Sequence, residues 1–323
     1  MTEIRRAGAV ATGRKRVDKT SLKAIWGSCG DGCKEIKDNS VDLAIFSPPY
    51  KVKDGWGFTL MQALGNTLFR VLKPGARAYM VFGQLKEGFA RPWESVDAIA
   101  YSSSGEAIKA KSSPLEKVQT IIWAKSLAMP SRERLIQDYL DSLDKGEDPD
   151  PRVLKAILKE KPELLQAGHY QPINSPDVLN YGFEYVFGLR KPGPARALDR
   201  LGIGVPFADK TNLTRGTRGQ NGDLHCAGDV WFIPYETVGQ TDKKHHRHQF
   251  PSELARRLIV LNQLEKGSLI FDPFLGGGTT AVAARMSGMN CVGYELNQYT
   301  IEVAKQRFKE HKDQRWRLAG AKL

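Results

Sequence analysis

FDPFLGGGTT, residues 271–280, joins a short apolar strand to a helix through three consecutive glycines. A glycine-rich strand-to-helix turn lets a ligand approach the backbone closely. The first turn of the helix adds unpaired N–H groups and the positive end of its dipole. A tight structural turn would use the same glycines, so the flanks decide. SLIFDPF reads as the strand and TTAVAARMSG as a helix ending at Gly288; NCVGYEL is the next strand and NQYTIEVAKQRFKEH the next helix. In this β-α-β-α unit the second strand ends at Glu295, about 20 residues beyond the glycines, where an acidic side chain meets ribose hydroxyls in dinucleotide-type folds.

Working outward, PSELARRLIVLNQLEKG reads as a helix opened by Pro251-Ser252 and closed at Gly267. No second phosphate-binding glycine pattern accompanies the turn. S-adenosylmethionine, which has a ribose but no phosphate, therefore suits it better than NAD or ATP. Residues 21–125 also alternate strand and helix. VDLAIF (41–46) is a buried strand, TLMQALGNTLFRVLK is helical up to Pro74-Gly75, and ARAYMVFG and VQTIIWAK are strands. Strands separated by helices predict an α/β sheet.

The strand VDLAIF runs into Ser47, Pro48, Pro49 and Tyr50. Two prolines stop a central strand and hold the chain extended. Open α/β sheets bind ligands beyond the carboxyl ends of their strands, so this end faces the same crevice as the glycine turn. There it offers the Ser47 hydroxyl and the Pro48 carbonyl as acceptors and the Tyr50 ring as a flat face. Acceptors beside an aromatic face suit the NH2 group of a stacked nucleobase.

The chain of 323 residues, 41% hydrophobic, is long enough for one large domain or two smaller ones. Its net charge of +12 and pI near 9.5 point to a polyanionic partner or to a merely soluble basic surface. No stretch approaches the ~20 apolar residues of a membrane span, and the first residues lack a secretory apolar core, so a cytoplasmic location is expected. Cys29, Cys33, Cys226 and Cys291 are too scattered for a disulfide framework and are expected as free thiols. A zinc site built from Cys29, Cys33, Cys226, His245, His246 and His248 lacks a tight Cys-x-x-Cys pair, and no metal is expected.

Four regions are expected. Residues 1–20 form a basic arm with six Lys and Arg; 21–125 and 241–323 are two halves of one domain; and 126–240 are an insertion that presents loops.

Ser47 to Tyr50, Asp272 to Thr280 with Phe274, Gly276 and Gly278, and Glu295 together resemble the DNA amino-methyltransferases, through their [DNS]-P-P-[YF] and Phe-x-Gly-x-Gly motifs. With the catalytic motif first, the order is similar to the permuted β class, across residues 22 to 310. The resemblance implies a Rossmann-like mixed α/β sheet with an inserted target-recognition region. It also implies methyl transfer from S-adenosylmethionine to the exocyclic amine of a flipped base in duplex DNA. The serine at position 47 favours N4 of cytosine over N6 of adenine.

The resemblance further assigns Ser28, Cys29, Phe46, His248, Phe250, Pro251, Ser252, Asp272, Pro273, Phe274, Gly276, Gly278, Thr279, Thr280 and Glu295 to the cofactor. Relatives carry Gly-Asp-Cys where this chain has Gly27-Ser28-Cys29, so Ser28 or Asp31 takes the place of that aspartate. Arg190, Lys191, Arg215 and Arg218 are candidate DNA contacts within the recognition region. A prokaryotic or phage setting follows, with a cognate restriction endonuclease as a possible partner. The Pro-Cys nucleophile motif of ring-carbon methylation is missing. A catalytically silent DNA-binding protein and an RNA or protein methylase are the rival readings.

Overall fold

The computed structural model describes residues 20–49, 56–83, 92–100, 115–125, 182–206, 224–233 and 249–311. Along the chain these form β1 (Leu22–Trp26), a 3-10 turn at Cys29–Asp31, β2 (Val41–Phe46), α1 (Trp56–Val71), β3 (Leu72–Gly83) and α2 (Pro92–Ala100). There follow β4 (Glu116–Ala124), β5 (Phe183–Arg190), β6 (Val205–Pro206), β7 (Leu224–His225) and β8 (Val230–Phe232). The last part holds α3 (Ser252–Leu261), β9 (Leu269–Asp272), α4 (Thr279–Met286), β10 (Asn290–Glu295) and α5 (Gln298–Glu310).

Eight strands make one mixed sheet in the order β1-β10-β9-β2-β3-β5-β4-β8. β1, β10, β9, β2 and β3 run parallel, β5 is antiparallel to both β3 and β4, and β8 is parallel to β4. From β9 the chain winds outward through β10, whereas from β2 it winds the other way through β3. The two neighbours therefore mark the point where the winding reverses, and a crevice opens there beyond their carboxyl ends.

Both faces of the central strands are covered, which is why VDLAIF is apolar without alternation. Ala44 and Phe46 pack with Leu60, Leu64 and Leu68 of α1 and Ile99 of α2, while Leu43 and Ile45 pack with Leu254 and Leu258 of α3 and Ala281 of α4.

Three local expectations change. Helix α1 ends at Val71, before Pro74-Gly75, and those two residues sit within β3 where its register against β2 shifts from Val41↔Leu72 to Leu43↔Arg77. Gly75 has φ +74°, and a Cβ there would lie 1.9 Å from the Pro194 carbonyl oxygen, so the pair makes a bulge rather than a helix stop.

Helix α3 ends at Leu261 rather than running to Gly267. Asn262 is buried, donates to Leu258 O (2.7 Å) and Tyr79 Oη (3.3 Å) and accepts from Arg77 (3.2 Å), and Gln263 then turns to φ +49°.

The insertion assigned to residues 126–240 also needs redrawing. Its segment Phe183–Arg190 is an inner strand of the sheet, and Val230–Phe232 extends the sheet edge, because both complete the pairing of β4. No helix among the described residues is long and apolar enough to cross a membrane. The arm, residues 1–19, lies outside the described residues.

Candidate cofactor and catalytic site

Strand β9 ends at Asp272, which is buried. Its Oδ1 accepts from the Phe274 N–H (2.9 Å), turning the chain out of the sheet. Leu275 N–H then donates to Tyr294 O of β10 (2.8 Å), and Gly278 N–H to Leu275 O (2.8 Å).

Gly276 and Gly278 have φ of +49° and +80°. At Gly278 a Cβ would stand 2.8 Å from Ala304 Cβ and 3.0 Å from Ala304 Cα, so the glycine also lets α5 lie directly against the turn. Gly278→Ala is therefore expected to cost about 2–4 kcal/mol, the sum of a left-handed residue and an overpacked contact with backbone. Urea unfolding of the variant against wild type checks this.

Glu295 stands at the end of β10, half-buried. Its Oε2 accepts from Gly276 N–H (3.0 Å) and its Oε1 from Asn297 N–H (2.9 Å). The carboxylate is thus pinned to the glycine turn 19 residues away, and each oxygen keeps acceptor capacity toward the crevice. The exposed Leu296 follows it, its carbonyl held by Trp26 Nε1 of β1 (3.0 Å).

The Ser47-Pro48-Pro49 strand end meets this turn. β2 pairs with β9 through Leu43↔Ile270 and Ala44↔Phe271, which brings Phe46 and Phe274 to a ring-centroid separation of 6.1 Å. Thr280, the second residue of α4, donates from Oγ1 to the Ile45 carbonyl (3.2 Å) and so ties the helix to the last turn of the strand. Ser47 is half-buried, Pro48 buried and Pro49 exposed at the carboxyl end of β2. Pro273 and Thr279 are buried in the turn. Tyr50 lies outside the described residues.

At the carboxyl end of β1, Ser28 accepts from Gly30 N–H (3.0 Å) and caps the 3-10 turn, which leaves its O–H to donate; Asp31 is exposed. Cys29 is buried in the core, and burial pushes its thiol far above the ordinary range, so it packs as an apolar group. Phe250 is buried in the core under α3, with Pro251 as N-cap and Ser252 as first residue of the helix. His248 lies outside the described residues.

Sequence reading passed over two groups here. Gly293 of β10 admits Asp272 O and Leu275, which a Cβ would meet at 2.9 and 2.8 Å. Gln249 binds Thr279 Oγ1 (3.0 Å) and joins the segment before α3 to the turn. Neither belongs to a motif, and only tertiary contact reveals them.

Burial raises the Asp272 carboxyl to about 7, opposed by the hydrogen bond from the Phe274 N–H. In the unfolded chain it ionises near 4. The folded state thus holds a proton that the unfolded state has lost. This contribution to stability is complete below pH 4 and disappears as pH rises through about 7. Between pH 5.5 and 8 the wild type is expected to lose about 2 kcal/mol relative to Asp272→Asn, which mimics the protonated acid. Urea titrations of both proteins at the two pH values measure the difference.

With this geometry in hand, a DNA methylase family model (N6_N4_Mtase) matches residues 41–306. The chain belongs to that family. It is 33% identical over 310 residues to the type II methyltransferase M.ScaI of Streptomyces caespitosus, covering 91% of this chain and 83% of M.ScaI. Two solved structures share the fold. TTHA0409 of Thermus thermophilus, described as a DNA modification methylase complexed with S-adenosyl-L-methionine, has a TM-score of 0.51 at 21% identity and covers 90% of this chain and 94% of its own. The PvuII DNA methyltransferase, cytosine-N4-specific, has a TM-score of 0.51 at 15% identity, over 90% of this chain and 87% of its own.

In this methylase two of the four candidate DNA contacts sit far from the crevice. Arg190 pairs with Arg77, three residues before Met80, the partner of Phe46, which puts it about 10 Å down the sheet toward the amino end. It is engaged by Glu116 at 2.5 and 2.8 Å. Lys191 is buried, donating to Asn39 Oδ1 (2.6 Å) and Leu72 O (2.9 Å) with its ammonium 4.8 Å from the Phe69 ring centroid. Because β5 is antiparallel, its carboxyl end is the sheet's amino end, and both cations hold strands together there. Arg215 and Arg218 lie outside the described residues.

Proposed function

We propose that the methylase moves a methyl group from S-adenosyl-L-methionine to the exocyclic amine of a base flipped out of duplex DNA, at N4 of cytosine. The observation that carries this reading is the junction of β2 and β9, where the Ser47-Pro48-Pro49 strand end and the glycine turn emerge side by side.

The residues of the turn fit the cofactor's chemistry. Glu295 offers carboxylate oxygens to ribose hydroxyls, Gly276 and Gly278 leave the backbone open to close approach, and Leu296 presents an exposed apolar side chain beside them. When bound there, S-adenosyl-L-methionine supplies the methyl group and a neutral thioether as leaving group.

The chain's own work is orientation. The Ser47 hydroxyl and the Pro48 carbonyl accept hydrogen bonds from the two amine protons, which aims the nitrogen lone pair and favours its pyramidal form as the new bond develops. The Tyr50 ring holds the base plane, and the surplus proton leaves to solvent after transfer. A protein nucleophile has no part in this chemistry.

Serine at position 47 supports cytosine N4, and the cytosine-N4 specificity of the structurally similar PvuII enzyme agrees with it. Target recognition is proposed for the parts of residues 126–240 outside the sheet, with Arg215 and Arg218 as phosphate or base contacts. The type II designation of M.ScaI supports a protective role beside a cognate restriction endonuclease, in the cytoplasm of a prokaryotic or phage-infected cell.

Mass spectrometry of nucleosides from methylated duplex DNA tests the proposal. N4-methylcytosine is the expected product. N6-methyladenine alone would reassign the base, and DNA binding without transfer to any duplex would favour a silent binding protein.

A further inference from the structure

Arg307 lies on α5, one residue beyond the segment matched by the family model, and in none of the motifs. Its Nη1 donates to the Gly277 carbonyl (2.6 Å) and to Gln249 Oε1 (2.9 Å). The same Gln249 oxygen accepts from Thr279 Oγ1 (3.0 Å). One guanidinium nitrogen therefore joins three separate pieces of chain: the middle of the glycine turn, the segment that leads into α3, and helix α5.

We propose that Arg307 is a positioning residue for the cofactor, acting as a latch that sets the glycine turn and the Gln249–Ser252 segment at a fixed spacing. This rests on the reading of the turn as the cofactor site.

Three physical points support it. First, Gly276 and Gly278 flank the Gly277 carbonyl, both with positive φ, so the turn has little side-chain packing of its own to define it. A charge-assisted hydrogen bond to that carbonyl supplies the definition. Second, a cation near the amino end of α4 opposes the helix dipole, so dipole stabilisation does not account for Arg307 being there. Third, the contact is built into the packing. Gly278 lets Ala304 approach, and Arg307 follows Ala304 by three residues, on the same face of α5. Two donors on Gln249 Oε1 also fix which way its amide points, and with it the entry of the chain into α3.

The test is a cofactor and DNA titration with steady-state kinetics on the full chain. Arg307→Met is expected to raise the KM and Kd for S-adenosylmethionine about tenfold, as for loss of a charged hydrogen bond, with kcat at saturating cofactor within about threefold and DNA affinity unchanged. Arg307→Lys keeps one donor and is expected to recover most of the loss. Gln249→Ala keeps the bond from Arg307 to the Gly277 carbonyl and is expected to raise the cofactor KM by less than Arg307→Met does, with the double variant no worse than Arg307→Met alone.

A cofactor KM within twofold of wild type in Arg307→Met, a loss confined to kcat, or losses that multiply in the double variant would overturn the latch. Should Arg307→Met fail to fold, Gln249→Ala reads the Gln249 arm of the latch with the helix intact, and an unchanged cofactor KM there would overturn it. Glu295→Gln, run in parallel, separates the two claims. If it too leaves cofactor affinity unchanged, the site reading fails; if it alone weakens binding, only the latch fails.

Discussion

Replacing Ser47 by alanine is expected to lower kcat by about 100-fold or more, because the lost acceptor acts as the amine changes shape in the transition state. Cofactor KM is expected to stay within about threefold, since Ser47 follows β2 while Glu295, the proposed ribose contact, ends β10. Tyr50→Ala is expected to cost about 10- to 100-fold in kcat/KM for DNA, the worth of stacking one base on an aromatic ring. Single-turnover methylation of duplex DNA with labelled cofactor measures both. A Ser47→Ala enzyme with unchanged kcat would remove the strand end from the chemistry and leave the proline pair as a turn.

Glu295→Gln is expected to weaken S-adenosylmethionine binding about 100-fold while DNA binding persists. The substitution is nearly isosteric, but both carboxylate oxygens already accept backbone N–H groups, from Gly276 and from Asn297. Glutamine has one acceptor oxygen and one donor NH2, so one of those N–H groups faces another donor. An unsatisfied polar group costs about 1–3 kcal/mol, to which the lost bond to a ribose hydroxyl is added. Isothermal titration with the cofactor, beside a DNA mobility shift, separates the two ligands. Equal affinity in wild type and variant would place the adenosine elsewhere.

The glycine turn was legible because its information is local. Strand, three glycines and helix occupy residues 268–288, and the acidic residue recurs at the end of the next strand. Positive φ at Gly276 and Gly278 and the bond from Gly276 N–H to Glu295 follow from that pattern. VDLAIF was equally clear, since a strand buried on both faces is apolar throughout.

FEYVFGLR was harder. It alternates little, it sits between a charged helical pattern and an Arg-rich loop, and its role as an inner strand depends on partners more than 50 residues away. The placement of Arg190 and Lys191 was hidden for the same reason. A basic pair next to a loop-like stretch reads as a surface, but an antiparallel strand carries it to the amino end of the sheet, against Glu116 and Phe69. Pro74-Gly75 reads as a helix stop and serves instead as a bulge, because helix and bulge ends share the same turn chemistry.

By itself the sequence determined the alternation of strands and helices, the two motif-bearing strand ends and the acidic partner of the glycine turn, all of which reside in periodicity and turn chemistry along one short stretch of chain. Tertiary structure alone decided that β2 lies beside β9, that Gln249 and Arg307 meet at Gly277, and which cations serve the sheet. The physical reason is that strand order, direction and register arise from burying both faces of the sheet at once, a condition on the whole chain that no local pattern records.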